Sequence, residues 1–81
     1  MKTTIKWTGD ASFSARSESG HTLIMDGPPD HGGKNGGPRP MEVVLMGMGG
    51  CTAFDVVHIL RKGRQDITDC EAQIAAERAS E

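Results

Sequence analysis

Polar and apolar positions alternate along the first 26 residues of the chain. Residues 3–7, TTIKW, have the period of a half-buried β-strand, and ASFSARSES continues it with Phe13 and Ala15 on one face. Ser19-Gly20 is a turn signal, and HTLIMD has the composition of a third strand. The pattern predicts an antiparallel β-meander that ends near Asp26.

The alternation stops in the segment GPPDHGGKNGGPRP, from Gly27 to Pro40. Its density of glycine and proline excludes regular structure and favours a mobile loop. A loop of this length is typical of a lid or an insertion. A plain flexible connector is the alternative, and the sequence leaves both open.

A helical pattern follows from Met41 to about Lys62, and Pro40 stands where a helix tolerates proline. Apolar residues lie on nearly every side of this helix, which is typical of a helix buried all round. So short a chain offers too little else to surround it. We therefore expect an obligate oligomer or a longer protein. Lys62-Gly63 is the predicted helix end, since basic residues favour that position.

The last segment, DITDCEAQIAAERASE, is ambiguous. Thr68 and Glu71 have the spacing of a capping box, which favours a helix. Apolar residues at every second position favour a strand instead: Cys70, Ala72, Ile74 and Ala76. Local reasoning slightly favours the helix.

The length of 81 residues predicts one domain, residues 1–81. The net charge of -2 provides no basic patch, so we expect neither nucleic acid nor a membrane surface as partner. No run reaches about 18 uninterrupted apolar residues, so no membrane span is predicted. The N-terminus lacks an apolar leader, and a cytoplasmic location with reduced thiols is expected.

Cys51 is the first candidate for chemistry. On a helix, Asp55 and His58 share its face. A nearby imidazole can support a thiolate, and a carboxylate can orient that imidazole. Three glycines precede the cysteine and would leave space around a reactive thiol: Gly47, Gly49 and Gly50.

Less reactive interpretations stay open for the same residues. A helix cysteine is more often a packing residue, and glycines in a buried helix often serve close backbone contact. A metal site made of Cys51, Asp55 and His58 is weaker still, because no fourth ligand is evident. Cys70 lies near a turn and is interpreted as structural or incidental.

Several short motifs together resemble the OsmC family, the osmotically inducible protein C and organic hydroperoxide resistance group, in its branch of small YhfA-type members. These are MDG after the third strand, PRPME at the helix start, GGC within the helix, then LRKGRQDI and DCE. The resemblance extends over nearly the whole chain.

The resemblance implies an α+β fold. It has an antiparallel β-meander, a long buried central helix and a further strand at residues 70 to 78, which replaces the helix favoured locally. It also implies an intertwined homodimer with the long helices at its centre. Family members are longer, so residues 1–81 are expected to be the N-terminal part of the domain.

The activity implied by the resemblance is thiol-dependent reduction of organic hydroperoxides in oxidative stress defence. Cys51 matches the cysteine that attacks the peroxide and becomes a sulfenic acid. The resolving cysteine is expected beyond residue 81, and Cys70 does not match it. A dithiol then restores the enzyme. This chemistry needs no metal and no organic cofactor.

Glu42 is the second candidate catalytic residue. The family glutamate directly follows the helix-start proline, a slot that holds Met41 here. The shift of one residue leaves a structural or loop-binding role open for Glu42. Arg39 is the candidate for the family arginine that supports the thiolate, and Arg16 is the alternative. Support by His58 is an inference from the residues alone.

Two other functions stay open. One is a non-catalytic dimer that binds a small apolar ligand, and the other is an inactive structural fragment. A ligand pocket would draw on larger apolar side chains of the helix, although their spacing is also that of a core: Met41, Met46, Met48 and Phe54.

Overall fold

The computed structural model describes residues 1–77 and contains a three-stranded antiparallel sheet and one long helix. The strands are β1 (Thr3–Gly9), β2 (Ser12–Ser17) and β3 (Thr22–Met25), in the order β1-β2-β3. The predicted α+β class and the predicted meander are therefore confirmed.

The register of the sheet follows from the alternating sequence pattern. Ile5 pairs with Ala15, Trp7 pairs with Phe13, and Phe13 pairs with Met25. Paired residues point to the same face of a sheet, so apolar side chains gather on one face. Met25 is the last residue of β3. It is 9% exposed and is the buried hydrophobic residue among those that the structure describes.

The glycine-rich segment after β3 is more ordered than its composition predicts. It contains a short 3₁₀ helix, Pro29–His31, which ends at Gly32 in the left-handed conformation with a φ of 85°. The expectation of a loop without regular structure was therefore wrong for this turn. A chain of backbone and carboxylate hydrogen bonds organises the segment.

The helix α1 spans Pro40–Lys62, which confirms the predicted helix and its start at Pro40. The expectation of a helix buried all round is not met within this chain, since Gly49 is the buried residue of α1. Phe54 is 71% exposed, Ile59 66% and Met46 61%. The physical reason is that this length of chain does not enclose an all-apolar helix.

By length and composition alone, α1 is also able to cross a membrane. The core helix of a water-soluble protein passes the same test. The expectation of no membrane partner stays a prediction.

The segment after α1 contains no strand within residues 63–77. The expected strand at 70 to 78 is thus absent from its described part, and residue 78 lies outside the described residues. A strand needs a neighbour for its backbone hydrogen bonds, and this segment pairs with no described strand. The chain divides into two units, Met1–Glu42 and a second one that starts at Val43.

Candidate functional site

Cys51 lies in the middle of α1 with an exposed, free thiol. Among residues 1–77, no side-chain hydrogen bond involves its sulfur atom. Asp55 and His58 follow on the same face of α1 and are also exposed. The structure therefore presents an accessible thiol on one helix face with a carboxylate and an imidazole.

The His58 ring stacks on Phe54. The two ring centroids are 6.1 Å apart, and the planes differ by 13°. The imidazole thus contacts an aromatic ring, whereas a hydrogen bond donated by the imidazole to the Asp55 carboxylate was the expected orienting interaction. No such bond occurs among the described residues.

A groove of about 700 Å³ runs along a neighbouring face of the same helix. Its apolar floor includes Phe54 and Val57, and its other side chains include three that can carry positive charge: His58, Arg61 and Lys62. Cys70, from the segment after α1, also lines it. Cys70 is a free and exposed thiol, and its structural or incidental role stays a prediction.

The three glycines before Cys51 have different surroundings. A Cβ atom at Gly49 would lie 3.1 Å from Cγ1 of Ile74, so Gly49 permits close packing of the following segment on α1. A Cβ atom at Gly47 or Gly50 would meet nothing within 4 Å. Close contact thus explains Gly49, and open space surrounds the other two.

Glu42 caps the start of α1. Its Oε1 accepts a hydrogen bond of 2.9 Å from the backbone N–H of Arg39. Arg39 directly precedes the helix and Glu42 is its third residue, so this is the reciprocal half of a capping box. The geometry gives Glu42 the structural role that its position in the sequence left open, and its catalytic role stays a prediction.

The side chain of Arg39 is half-buried and bonded within its own loop. Its Nη1 donates to Oδ1 of Asn35 at 2.7 Å and to the carbonyl of Gly37 at 3.4 Å. Arg16 lies on β2 with an exposed side chain. Arg39 and Glu42 belong to the first unit, and Cys51, Asp55 and His58 belong to the second.

Asp26 is the organising residue that sequence reasoning missed. It is 6% exposed and stands directly after β3. Its carboxylate accepts three backbone hydrogen bonds, from Gly27 at 2.7 Å, from Lys34 at 3.2 Å and from Gly36 at 3.1 Å. An aspartate before a loop rich in glycine was the available signal, since glycine lets backbone N–H groups approach an anion closely.

These contacts favour the ionised form of Asp26. The hydrogen bond from Gly36 lowers the pKa of the carboxyl most, followed by the bond from Gly27. The bond from Lys34 and the positive charge of Arg39 act in the same direction, while burial opposes them. The net result is a pKa below the ordinary value of 3.8.

Two glycines allow the loop to lie against β3 and its own start. A Cβ atom at Gly37 would overlap the carbonyl oxygen of Ile24, and one at Gly33 would overlap that of Gly27. In both cases the obstacle is backbone, which cannot rotate away as a side chain can. Gly33 and Gly37 are therefore required by close approach.

Among residues 1–77, no group of three or more histidine, cysteine, aspartate or glutamate side chains is placed to hold a metal ion. The candidate set of Cys51, Asp55 and His58 does not form such a group.

The family model of OsmC-like proteins matches residues 32–81. This range contains Arg39, Glu42 and Cys51, and it is more than half of the chain. The chain belongs to the OsmC-like family.

Individual relatives support the same assignment. The chain is 49% identical over all of its 81 residues to Protein YhfA of Escherichia coli K12, and equally to Protein YhfA of Shigella flexneri. It covers 58% of the length of each. The predicted family and its YhfA-type branch are thereby confirmed.

Solved structures agree with the fold. A structural genomics structure, 47% identical, superposes with a TM-score of 0.83 over 96% of this chain and 56% of its own. A protein of Psychrobacter arcticus 273-4, described as an osmotic stress induced and detoxification response protein, gives a TM-score of 0.76. It is 23% identical, and the match covers 84% of this chain and 50% of that one, so it supports the fold alone.

Proposed function

We propose that this OsmC-like chain reduces organic hydroperoxides with Cys51 as the nucleophile, in the cytoplasm and in defence against oxidative stress. The observation that carries the proposal is the exposed and unbonded thiol of Cys51 within the family match. A nucleophilic thiol must be accessible, and a thiolate is the reacting form.

The reaction begins with attack of the Cys51 thiolate on an oxygen atom of the hydroperoxide. An S–O bond forms as the O–O bond breaks, and the organic fragment leaves as an alkoxide that takes up a proton to become an alcohol. The thiol sulfur is oxidised to a sulfenic acid, and the peroxide is reduced by two electrons.

A dithiol completes the cycle. Its first thiol condenses with the sulfenic acid to a mixed disulfide and releases water. Its second thiol then displaces Cys51, which returns as a thiol while the donor becomes a disulfide. By the resemblance, a resolving cysteine is expected beyond residue 81, and in a longer protein it would take the place of the first dithiol sulfur.

We also propose that a second copy of the chain covers α1 in a homodimer. The support is the exposure of large apolar side chains along the helix, among them Phe54 and Ile59. Contiguous apolar surface of this kind is typical of an interface. Sedimentation of the 81-residue chain should give a dimer, and a stable folded monomer would contradict the proposal.

The groove beside Phe54 favours a second candidate function, the binding of a small apolar ligand without turnover. Native mass spectrometry of the purified chain distinguishes the two. A bound apolar molecule together with an inert Cys51 would favour the binding function over the peroxidase.

The enzymatic proposal is tested by intact mass after addition of one equivalent of cumene hydroperoxide. We expect rapid addition of one oxygen atom to the wild-type chain, its loss in Cys51→Ser, and its retention in Cys70→Ser. Dithiothreitol should remove the oxygen and restore the starting mass. Equal oxidation of wild type and Cys51→Ser would contradict the assignment.

A further inference from the structure

The groove beside Phe54 changes its character along α1. Its N-terminal end is lined by Gly50, Ala53 and Phe54, and its C-terminal end by Arg61 and Lys62. The helix rises by roughly 16 Å from Gly50 to Arg61, at about 1.5 Å per residue. A ligand that fills the groove therefore needs an apolar part at one end and a negatively charged part at the other.

The apolar end has room for a ring system. Gly50 has no side chain and Ala53 has a short one, and a Cβ atom at Gly50 would meet nothing within 4 Å. The groove volume of about 700 Å³ lies in the range of small-molecule sites. Gly50 thus leaves open a space that a larger side chain would fill.

Phe54 and His58 supply parallel aromatic rings to the same groove. Both residues line it, and their ring planes differ by only 13°. Phe54 is 71% exposed, so most of its surface is available to a ligand. Aromatic rings gain free energy from offset stacking beyond the area that they bury. This part of the groove therefore favours a planar aromatic group over an alkyl chain.

The cations at the other end have no partner in the part of the chain that the structure describes. Within residues 1–77, neither Arg61 nor Lys62 makes a salt bridge or donates a side-chain hydrogen bond. They are not needed to satisfy the end of α1, because backbone N–H groups bond its last carbonyls, as Gln65 does that of Leu60 at 2.9 Å.

A carboxylate complements these two cations. A guanidinium binds a carboxylate through two parallel N–H···O bonds, and a neighbouring ammonium adds to the attraction. An apolar protein surface placed over the same end would bury Arg61 and Lys62 without a counter-ion, which is costly. The charge of the groove therefore favours an anionic small molecule as its occupant.

We infer that the groove binds a planar aromatic carboxylate, with its rings against Phe54 and its carboxylate at Arg61 and Lys62. The inference rests on the second candidate function, ligand binding in this groove, and it names the class of ligand. Cys51 is not among the residues that line the groove, so binding there requires no reaction at that thiol.

Calorimetric titration of the full chain with matched probes tests the class of ligand. Naphthoate has both features, naphthamide lacks the charge, and decanoate lacks the aromatic plane. We expect naphthoate to bind at least about tenfold more tightly than naphthamide and about threefold more tightly than decanoate. Equal binding of naphthoate and naphthamide would overturn the inference and leave an apolar-ligand function in place. Binding of none of the probes would overturn both.

Gly50→Leu locates the apolar end of the site. Leucine favours the helix and fills the space beside Phe54, so we expect it to weaken naphthoate binding by roughly tenfold. Gly47→Leu is the matched control, because a side chain at Gly47 also meets open space but does not line the groove. It should leave the affinity unchanged, and equal effects of the two variants would overturn the inference.

Arg61→Gln locates the charged end. It should abolish the preference for naphthoate over naphthamide, because the charged partner of the carboxylate is gone. Arg64→Gln removes a cation two residues beyond the end of α1 that does not line the groove, and it should keep the preference. A preference that survives Arg61→Gln would overturn the inference.

Cys70 reports directly on occupancy of the groove. It lines the groove and Cys51 does not, while both are free and exposed thiols. Naphthoate should slow alkylation of Cys70 by iodoacetamide with the same concentration dependence as its binding. An unchanged rate at Cys70 would overturn the inference. So would an affinity for naphthoate that falls as the chain dimerises, because a second copy would then occupy the groove.

Discussion

Gly37 and Gly47 differ in what an added methyl group would meet. At Gly37 it would overlap the carbonyl oxygen of Ile24, whereas at Gly47 it would meet nothing within 4 Å. The loop around Asp26 finds its partners within one chain, because the Asp26 carboxylate accepts three backbone hydrogen bonds and Gly33 and Gly37 lie close to other backbone. The helix that carries Cys51 exposes its apolar side chains, so its surroundings are incomplete in the chain alone.

The two regions owe their ordered structure to different interactions. Around Asp26 it comes from hydrogen bonds between neighbouring parts of one chain. Along α1 it comes from helical propensity and from apolar surface that gains free energy only when something covers it. The effect of a substitution on stability should therefore depend on dimer formation along α1 and be independent of it around Asp26.

The largest expected effect is that of Gly37→Ala. The new methyl group would collide with backbone, and overpacking of this kind costs about 3 kcal/mol of unfolding free energy. Chemical denaturation monitored by circular dichroism measures the loss. A loss below about 1 kcal/mol, the ordinary change for a point mutation, would mean that the loop does not lie against β3 as described.

The next largest expected effect is the dependence of stability on pH that the ionisation of Asp26 causes. Because its folded pKa lies below 3.8, its ionisation stabilises the fold above that value, and this contribution is lost as pH falls through the lowered pKa. We expect Asp26→Asn to be less stable than wild type near neutral pH and the two to converge in strong acid. Urea midpoints from pH 7 to pH 2 check this, with Asp30→Asn as the control. A difference independent of pH would contradict the carboxylate's role.

Two substitutions of Glu42 distinguish its capping role from a role in catalysis. Glu42→Gln keeps an acceptor for the Arg39 N–H, while Glu42→Ala removes it. Loss of such a cap costs about 1 kcal/mol. If capping is the only role, Gln should retain both stability and Cys51 oxidation. Retained stability with lost oxidation in Glu42→Gln would instead support the catalytic assignment.

Gly47→Ala gives the smallest effect, and its sign reports on what covers α1. In an uncovered helix, alanine is better than glycine by about 1 kcal/mol. We expect that gain in a dilute, monomeric chain, measured by denaturation over a range of protein concentrations. If the gain in unfolding free energy turns into a loss as dimers form, Gly47 lies at the interface. Gly49→Ala is the comparison, because Gly49 packs against Ile74 within the chain.

Much of the fold was predictable because it depends on local pattern. The alternation in β1 to β3 predicted the meander, and Pro40 with the basic residues at Lys62 predicted the helix ends. The strand expected at 70 to 78 depends on a neighbour, and no described strand pairs with it. Local pattern cannot reveal whether such a neighbour is present.

The candidate site was also predictable only where it depends on local pattern. Helical spacing alone placed Cys51, Asp55 and His58 on one face, but it did not predict the stacking of the His58 ring on Phe54. The Asp26 carboxylate was missed because its donors come from residues distant in sequence, among them Lys34 and Gly36. Its only local sign was an aspartate beside glycines.

The proposed peroxidase activity depends most on the reactivity of Cys51, and Cys70 serves as the internal reference. Cys70 is also free and exposed, so accessibility alone would make the two thiols react alike. Site-resolved mass spectrometry after brief exposure to cumene hydroperoxide measures both rates in the same molecule. We predict oxidation of Cys51 at least about tenfold faster than that of Cys70, because only an activated thiolate reacts quickly. Equal rates, or faster oxidation of Cys70, would contradict it.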